Sequence, residues 1–388
     1  SIDKRFRNRQ MKTLSQHIIL RMASVLGPLL MSAACNSGSS DATPPAGRTV
    51  MLGVTTEVLG SVRTDSEKMS TLRIVVLHPD GSVEHNRFVD FGSAMQTEYT
   101  RLLEVRPDEK KSIWLIANEN SVSSDLHDAL EAYTAGKQGF GEAAGNLSFV
   151  LDPARPLPMT SFYEVQTEET DMECRFFLVR TAAKFTFRFT NRRSGAVTID
   201  SIAVSDIAEE SYLMPHKLAP TMTFRATEQS PPEELYWIDW LKRVSDESQL
   251  NPGDKSLADR RGWILDYDVP ATMHRSVTMQ APDDFRVAGL AYDMGVPRPG
   301  TAVFPTFFLP ESKSPKAVSG SYGEQEYFMT LTMTDSSNAT KTFRCPFDNL
   351  KSLFRNTHVT VDISLHEKGI QVDVIPYSEV VLQPEFGL

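Results

Sequence analysis

From Val50 onward the chain is dominated by alternation of apolar and polar residues. In AAKFTFRFTN, Phe185, Phe187 and Phe189 fall on one side and Thr186, Arg188 and Thr190 on the other, the period-2 pattern of a strand with one buried and one wet face. THVTVDISL repeats it, opposing Val359, Val361, Ile363 and Leu365 to His358, Thr360, Asp362 and Ser364. GIQVDVIP follows after a turn at HEKG, which predicts a β-hairpin. Earlier, TLRIVVLH at 71–78 and SVEHNRFVDF flank Pro79-Asp80-Gly81 in another hairpin-like pattern, and SIWLIAN at 112–118 follows the turn-forming RPDEKK. One segment changes period: in SSDLHDALEAYTAG, Leu126, Ala129, Leu130 and Tyr133 share a helical face, a Ser or Asp can cap the start, and Gly136 can end it. Strands of period 2, short turns and few short helices predict a mainly β fold of antiparallel sandwiches rather than a parallel α/β sheet.

The length of 388 residues suits two domains at roughly 100–200 residues each. The strand AVTIDSIAV gives way to the polar, Pro-containing VSDIAEESYLMPHKLAP, which places the boundary at about residue 206 and divides the chain into 50–205 and 206–388. Within the second part, 230–284 shows little strand periodicity but holds Trp237, Trp240 and Trp263, expected to pack on the sandwich.

The first 34 residues differ in kind. Arg5, Arg7, Arg9, Lys12 and Arg21 precede the apolar MASVLGPLLMSAA, the layout of an export signal. The run is shorter than the ~20 apolar residues a spanning helix needs, and Gly27-Pro28 interrupts it. Ser32, Ala33 and Ala34 directly before Cys35 resemble a bacterial lipobox, with Ser32 standing where leucine is usual. That similarity implies cleavage between Ala34 and Cys35 and lipidation of Cys35, whose acyl chains would contribute ~0.8 kcal/mol per buried methylene to membrane attachment. Residues 35–49, NSGSSDATPPAGR and its flanks, read as a flexible tether. Cys174 and Cys345 remain; export would permit a disulfide between them, but they lie far apart in the chain and are expected as two separate buried thiols.

Candidate chemistry adds little. A net charge of −10 without a basic cluster disfavours nucleic acid as a partner. The eight histidines are scattered and read as surface residues; HExxH and CxxC spacings are absent, as are a GxSxG elbow and a phosphate-binding glycine motif. Glu168-Glu169 and Glu209-Glu210 lie in polar stretches as solvated charges, and NPGDKSLADRRG lacks the ligand alternation of a calcium loop. No metal, cofactor or enzymatic activity is expected.

Taken in order, the lipobox-like segment, the tether, WLIAN before a helix, PLPMTSF at 156–162, LVRTAAKFTFRF at 178–189 and LFRNTHVTVDISL at 353–365 resemble the fimbrillins of the Bacteroidales. Val359 stands where that family often has Tyr, and Tyr377 where it has a terminal Trp, which marks a divergent member. The resemblance implies two transthyretin-like antiparallel β-sandwich domains, delivery to the outer membrane as a lipoprotein, and assembly with other fimbrial subunits by strand exchange. In that family an arginine-specific protease trims shaft subunits and frees an amino-terminal strand, and a neighbour's carboxy-terminal strand fills the groove. Here Arg48 and Arg63 bracket the candidate first strand TVMLGVTTEVLGSV, as processing sites or as ordinary exposed arginines. Val380, Val381 and Leu382 mark a candidate donor strand that otherwise pairs within its own domain. The resemblance implies an anchoring subunit at the fimbrium base, with host or bacterial surface adhesion through the assembled fimbrium. Tip, accessory and shaft subunits share these signals, and a glycan-binding lipoprotein using Trp237, Trp240 and Trp263 is the alternative from another class.

Overall fold

The structure, a computed structural model, describes residues 47–214, 221–224, 231, 233–236, 275–313, 327–347, 350 and 352–375. Its first part contains β1 (Val50–Val58), β2 (Thr71–Leu77), β3 (Val83–Asp90), β4 (Glu98–Val105), β5 (Lys110–Ala117), helices α1 (Leu126–Glu131) and α2 (Phe140–Gly145), β6 (Ser148–Phe149), β7 (Met159–Gln166) and β8 (Met172–Arg180). The long strands join in the order β3-β2-β5-β7-β8-β1-β4. The path turns a corner between β7 and β8, which share only Met159↔Arg180 and Thr160↔Val179. One layer is therefore β3-β2-β5-β7 and the other β8-β1-β4, with Leu52, Val54, Ile74, Val76, Ile113, Leu115 and Leu178 buried together. The outer face of the first layer is covered too: Val75, Trp114 and Phe162 pack with Leu126 and Leu130 of α1 and Phe140 of α2. Burial on both faces explains why IVVL at 74–77 and IWLIA at 113–117 are continuous apolar runs rather than alternating ones.

The rest comprises β9 (Ala182–Asn191), β10 (Val197–Ile207), β11 (Ser211–Tyr212), β12 (Thr221–Phe224), β13 (Glu233–Tyr236), β14 (Arg275–Gln280), β15 (Arg286–Val287), β16 (Ala291–Asp293), β17 (Val296–Arg298), β18 (Gly300–Val303), β19 (Phe307–Pro310), β20 (Ser312–Lys313), β21 (Phe328–Asp335), β22 (Thr340–Pro346), β23 (Ser352–Leu353), β24 (His358–His366) and β25 (Gly369–Ile375). A sheet of order β18-β9-β24-β25, with β19 also on β9, faces one of order β14-β10-β21-β22. Between them Phe185, Phe187 and Phe189, all from one face of β9, share a core with Val361, Ile363, Ile202, Leu331 and Met329. Phe307 stacks on Phe185 and Phe187 at centroid distances of 5.7 and 5.3 Å.

The two sandwiches share one connectivity. β1 lies parallel to β8 and antiparallel to β4, and β9 lies parallel to β24 and antiparallel to β18 and β19. The facing layers run β3-β2-β5-β7 and β14-β10-β21-β22, the same order in each unit. The second unit adds β25, hairpin partner of β24 as the terminal pattern predicts.

Two sequence expectations change. The boundary near residue 206 lies at the end of β10, yet β9 and β10 pair with β14, β18, β19, β21 and β24, so the chain passes into the second sandwich at Thr181, and β11 then returns to pair with β6 and seat Leu213 and Met214 in the first unit. A polar segment after a strand marks where the strand ends, not which sheet it joins. The predicted helix forms, but Asp125 makes no side-chain capping bond, and the helix ends at Glu131, short of Gly136. Gly136 instead sits at φ +81° in the following turn.

Candidate functional site

The motifs that mark the chain converge where the sandwiches meet. PLPMTSF places Pro158 and Thr160 at the start of β7; LVRTAAKF places Arg180, Thr181 and Lys184 across the β8–β9 passage; LFRNTH places Arg355, Asn356 and His358 before and at the start of β24. Thr181 donates to the Pro158 carbonyl from both its backbone N–H and its hydroxyl, each at 3.0 Å. Asn356 accepts the Arg180 N–H at 3.0 Å and donates its own N–H to the Ala182 carbonyl at 2.9 Å. These bonds tie the β8–β9 passage to the start of β7 on one side and to the segment before β24 on the other.

Two fully buried carboxylates complete the junction. Glu311 faces Arg355, which donates from Nε at 3.0 Å and also from its Nη2. Arg355 reaches the first unit as well, donating to the Tyr212 carbonyl at 2.9 Å, the Leu213 carbonyl at 3.2 Å and Thr160 Oγ1 at 3.3 Å. Both partners are 0% exposed, so each depends on the other for charge compensation. Glu67, also 0% exposed, follows β1: its Oε1 takes Lys184 Nζ at 3.1 Å and lies 3.3 Å from Arg180 Nη2. Its Oε2 accepts the backbone N–H groups of Arg63 at 3.0 Å and Thr64 at 3.1 Å. Burial alone would raise the Glu67 pKa, but the Arg180 charge, the Arg63 amide and Lys184 outweigh it and hold the carboxyl below its ordinary range.

The same residues grip the chain leaving β1. Arg180 donates to the carbonyls of Leu59 at 3.1 Å and Ser61 at 2.8 Å, and Asn356 donates to Leu59 at 3.3 Å. On the far side of Glu67, Asn118 from WLIAN, at φ +60°, donates to the carbonyls of Lys68 at 2.9 Å and Leu157 at 2.7 Å and accepts the Ser70 N–H at 2.8 Å.

No family model matches the sequence, and no curated protein matches it. Among solved structures the chain is similar to the tip fimbrial protein Mfa3 from Porphyromonas gingivalis with C-terminal truncation, at 13% identity over 84% of this chain and 99% of that one, TM-score 0.49. It is also similar to a fimbrial assembly protein from Parabacteroides distasonis, at 13% identity over 84% of this chain and 95% of that one, TM-score 0.41. These neighbours are fimbrial proteins of the Bacteroidales, the group the sequence resembles.

The sequence-predicted residues are dispersed. Arg48 precedes β1, with its guanidinium in an exposed pair 3.3 Å from Glu169. Arg63 is exposed in the loop between β1 and β2, its backbone held by Glu67. Cys174 on β8 and Cys345 on β22 are free, half-buried thiols in different units, and burial pushes both thiol pKa values up. Ala34, Cys35, Trp237, Trp240, Trp263, Val380, Val381 and Leu382 lie outside the described residues. Four of the described histidines depart from the surface reading: His358 is buried 2.9 Å from Thr186 Oγ1, and three are half-buried, His78 2.7 Å from Glu109, His85 2.6 Å from the Glu104 carbonyl and His127 2.8 Å from Glu119. Among the described residues no group of three or more His, Cys, Asp or Glu gathers as a metal site.

Glu67 and Glu311 were missed in the sequence. Thr64-Asp65-Ser66-Glu67 is a readable capping-box pattern, T-x-x-E, and the structure forms that box around a 3-10 turn at Asp65–Glu67. Glu311, in FFLPES, carries no local signal.

Proposed function

We propose that this protein is an anchoring subunit of a fimbrium. The observation that carries the reading is the seat of β1. The strand pairs along its length with both β4 and β8, and Leu52 and Val54 are fully buried in the first core. The first unit thus has its groove filled by its own strand. A subunit so filled has no vacancy for a neighbour's strand, which fits a fibre end that donates but does not accept. In this reading Cys35, lipidated after cleavage from Ala34, holds the protein at the cell surface of the outer membrane, and the tether of residues 35–49 gives it reach. The segment containing Val380, Val381 and Leu382, which follows β25, is the strand offered to the next fimbrial subunit. Adhesion to host or bacterial surfaces belongs to the assembled fimbrium.

The deciding experiment is to isolate the mature protein from outer membranes and determine its amino-terminal residue. Lipidated Cys35 retained in assembled fimbriae is the expected result. A mature terminus at Thr49 or Thr64 overturns the anchoring role and makes the chain a processed tip, accessory or shaft subunit.

A further inference from the structure

Arg63 is exposed, which on its own would suggest a bond open to any arginine-directed protease. The backbone around it says otherwise. Such a protease takes the chain on both sides of the scissile bond as an extended strand, main chain to main chain. In this segment the polar groups needed for that pairing are already engaged. The Leu59 carbonyl is held by Arg180 and Asn356, the Ser61 carbonyl by Arg180, and the N–H groups of Arg63 and Thr64 by Glu67 Oε2. Immediately afterwards the chain bends into the 3-10 turn at Asp65–Glu67, and Leu157 donates its N–H to the Ser66 carbonyl at 2.8 Å. Apart from the local Glu67, the groups that hold the segment come from far along the sequence: Arg180 ends β8, Lys184 lies on β9 and Asn356 precedes β24.

We propose that the cluster of Glu67, Arg180, Lys184 and Asn356 is a latch that masks the Arg63–Thr64 bond, so that the native chain is not cut there and β1 stays in its sandwich. Hydrolysis at that bond consumes one water, leaves a carboxylate on Arg63 and an amine on Thr64, and severs β1 from the rest of the chain. The latch makes that step depend on opening the junction between the sandwiches. Arg48 is the internal control. Its bond to Thr49 lies ahead of the first register pair, Val50↔Val105, so a cut there leaves β1 paired. This inference rests on the reading of the chain as a fimbrial subunit whose first strand matters, and it supplies the device that keeps that strand in place.

The test is limited digestion of the folded full chain with trypsin, following by mass spectrometry the appearance of fragments beginning at Thr49 and at Thr64. Because cleavage tracks the population of the opened state, the Thr64 fragment should form at least ~10-fold more slowly than the Thr49 fragment in the native protein and at a comparable rate in urea. Glu67→Gln should speed the Thr64 fragment by about 10-fold and leave the Thr49 fragment unchanged. If Glu67→Gln does not hold its fold, Asn356→Ala, which removes one hold on Leu59, decides with the same expected direction. Equal native rates at the two bonds, or a folded Glu67→Gln or Asn356→Ala chain with no acceleration, overturn the latch. The outcome is independent of the anchoring role: a mature terminus at Thr49 in outer membranes removes the anchor and leaves the latch standing.

Discussion

Replacing Arg355 by Met tests whether the junction is a structural keystone or a place where two sandwiches merely touch. The guanidinium is 0% exposed, pairs with the equally buried Glu311, and spans to the Tyr212 and Leu213 carbonyls and Thr160 Oγ1 in the first unit. Removing one partner of such a pair leaves a buried charge without its compensation, which costs about 3–5 kcal/mol. With a urea m-value of about 3 kcal/mol/M, the unfolding midpoint should fall by about 1–1.7 M. Arg355→Lys should recover little, because one ammonium cannot reproduce the planar fork that meets Glu311 and the carbonyls together. The double variant Arg355→Met with Glu311→Leu should lie between the wild type and the single variant: it removes the stranded carboxylate but leaves the Tyr212 carbonyl without this donor. The assay is urea unfolding followed by far-ultraviolet circular dichroism and tryptophan fluorescence. A midpoint shift below about 0.3 M for Arg355→Met would falsify the assignment of Arg355 as the keystone.

Other perturbations probe other links. Leu52→Ala, in the fully buried middle of β1, should destabilise the first unit by about 2–5 kcal/mol, read as a lowered unfolding midpoint. Glu67 is held below its ordinary pKa in the fold, so its stabilising contribution is present above the unfolded carboxyl value, about 4.3, and is lost as pH falls through the folded one. The gap in unfolding midpoint between wild type and Glu67→Gln should therefore be widest at neutral pH and shrink on acidification; a gap that widens in acid contradicts the clamp. Cys174 and Cys345 should appear as thiols by intact mass with and without reductant, and Cys174 should alkylate more slowly in the folded protein than in urea, because burial disfavours its thiolate.

How much of this was legible in the sequence depended on how local each determinant is. Phe185, Phe187 and Phe189 announce β9 because a strand with one wet face must alternate, and β24 with β25 announces a hairpin for the same reason. Leu126 and Leu130 mark α1 by their spacing, whereas FGEAAG forms α2 with too few residues and too many glycines to show a period. The boundary was misplaced because β9 and β10 choose partners beyond residue 274, and pairing across such distances leaves no trace in the strand itself. At the junction, Arg180, Lys184, Arg355 and Asn356 stood out as motif residues, but only the folded chain shows that they close around Glu67 and Glu311.

The parallel pairing of β1 with β8 has a mechanical consequence. Tension entering ahead of Val50 and leaving through Arg180 pulls these two strands at opposite ends, along their length. Hydrogen bonds across such a pair are loaded in shear, all together, rather than peeled one after another as in a hairpin opened from its ends. The second sandwich repeats the arrangement, with β9 entering beside a parallel β24. Each unit thus presents its own central strand pair in the orientation that resists extension, and a chain of such units would stretch only when a whole ladder gives way.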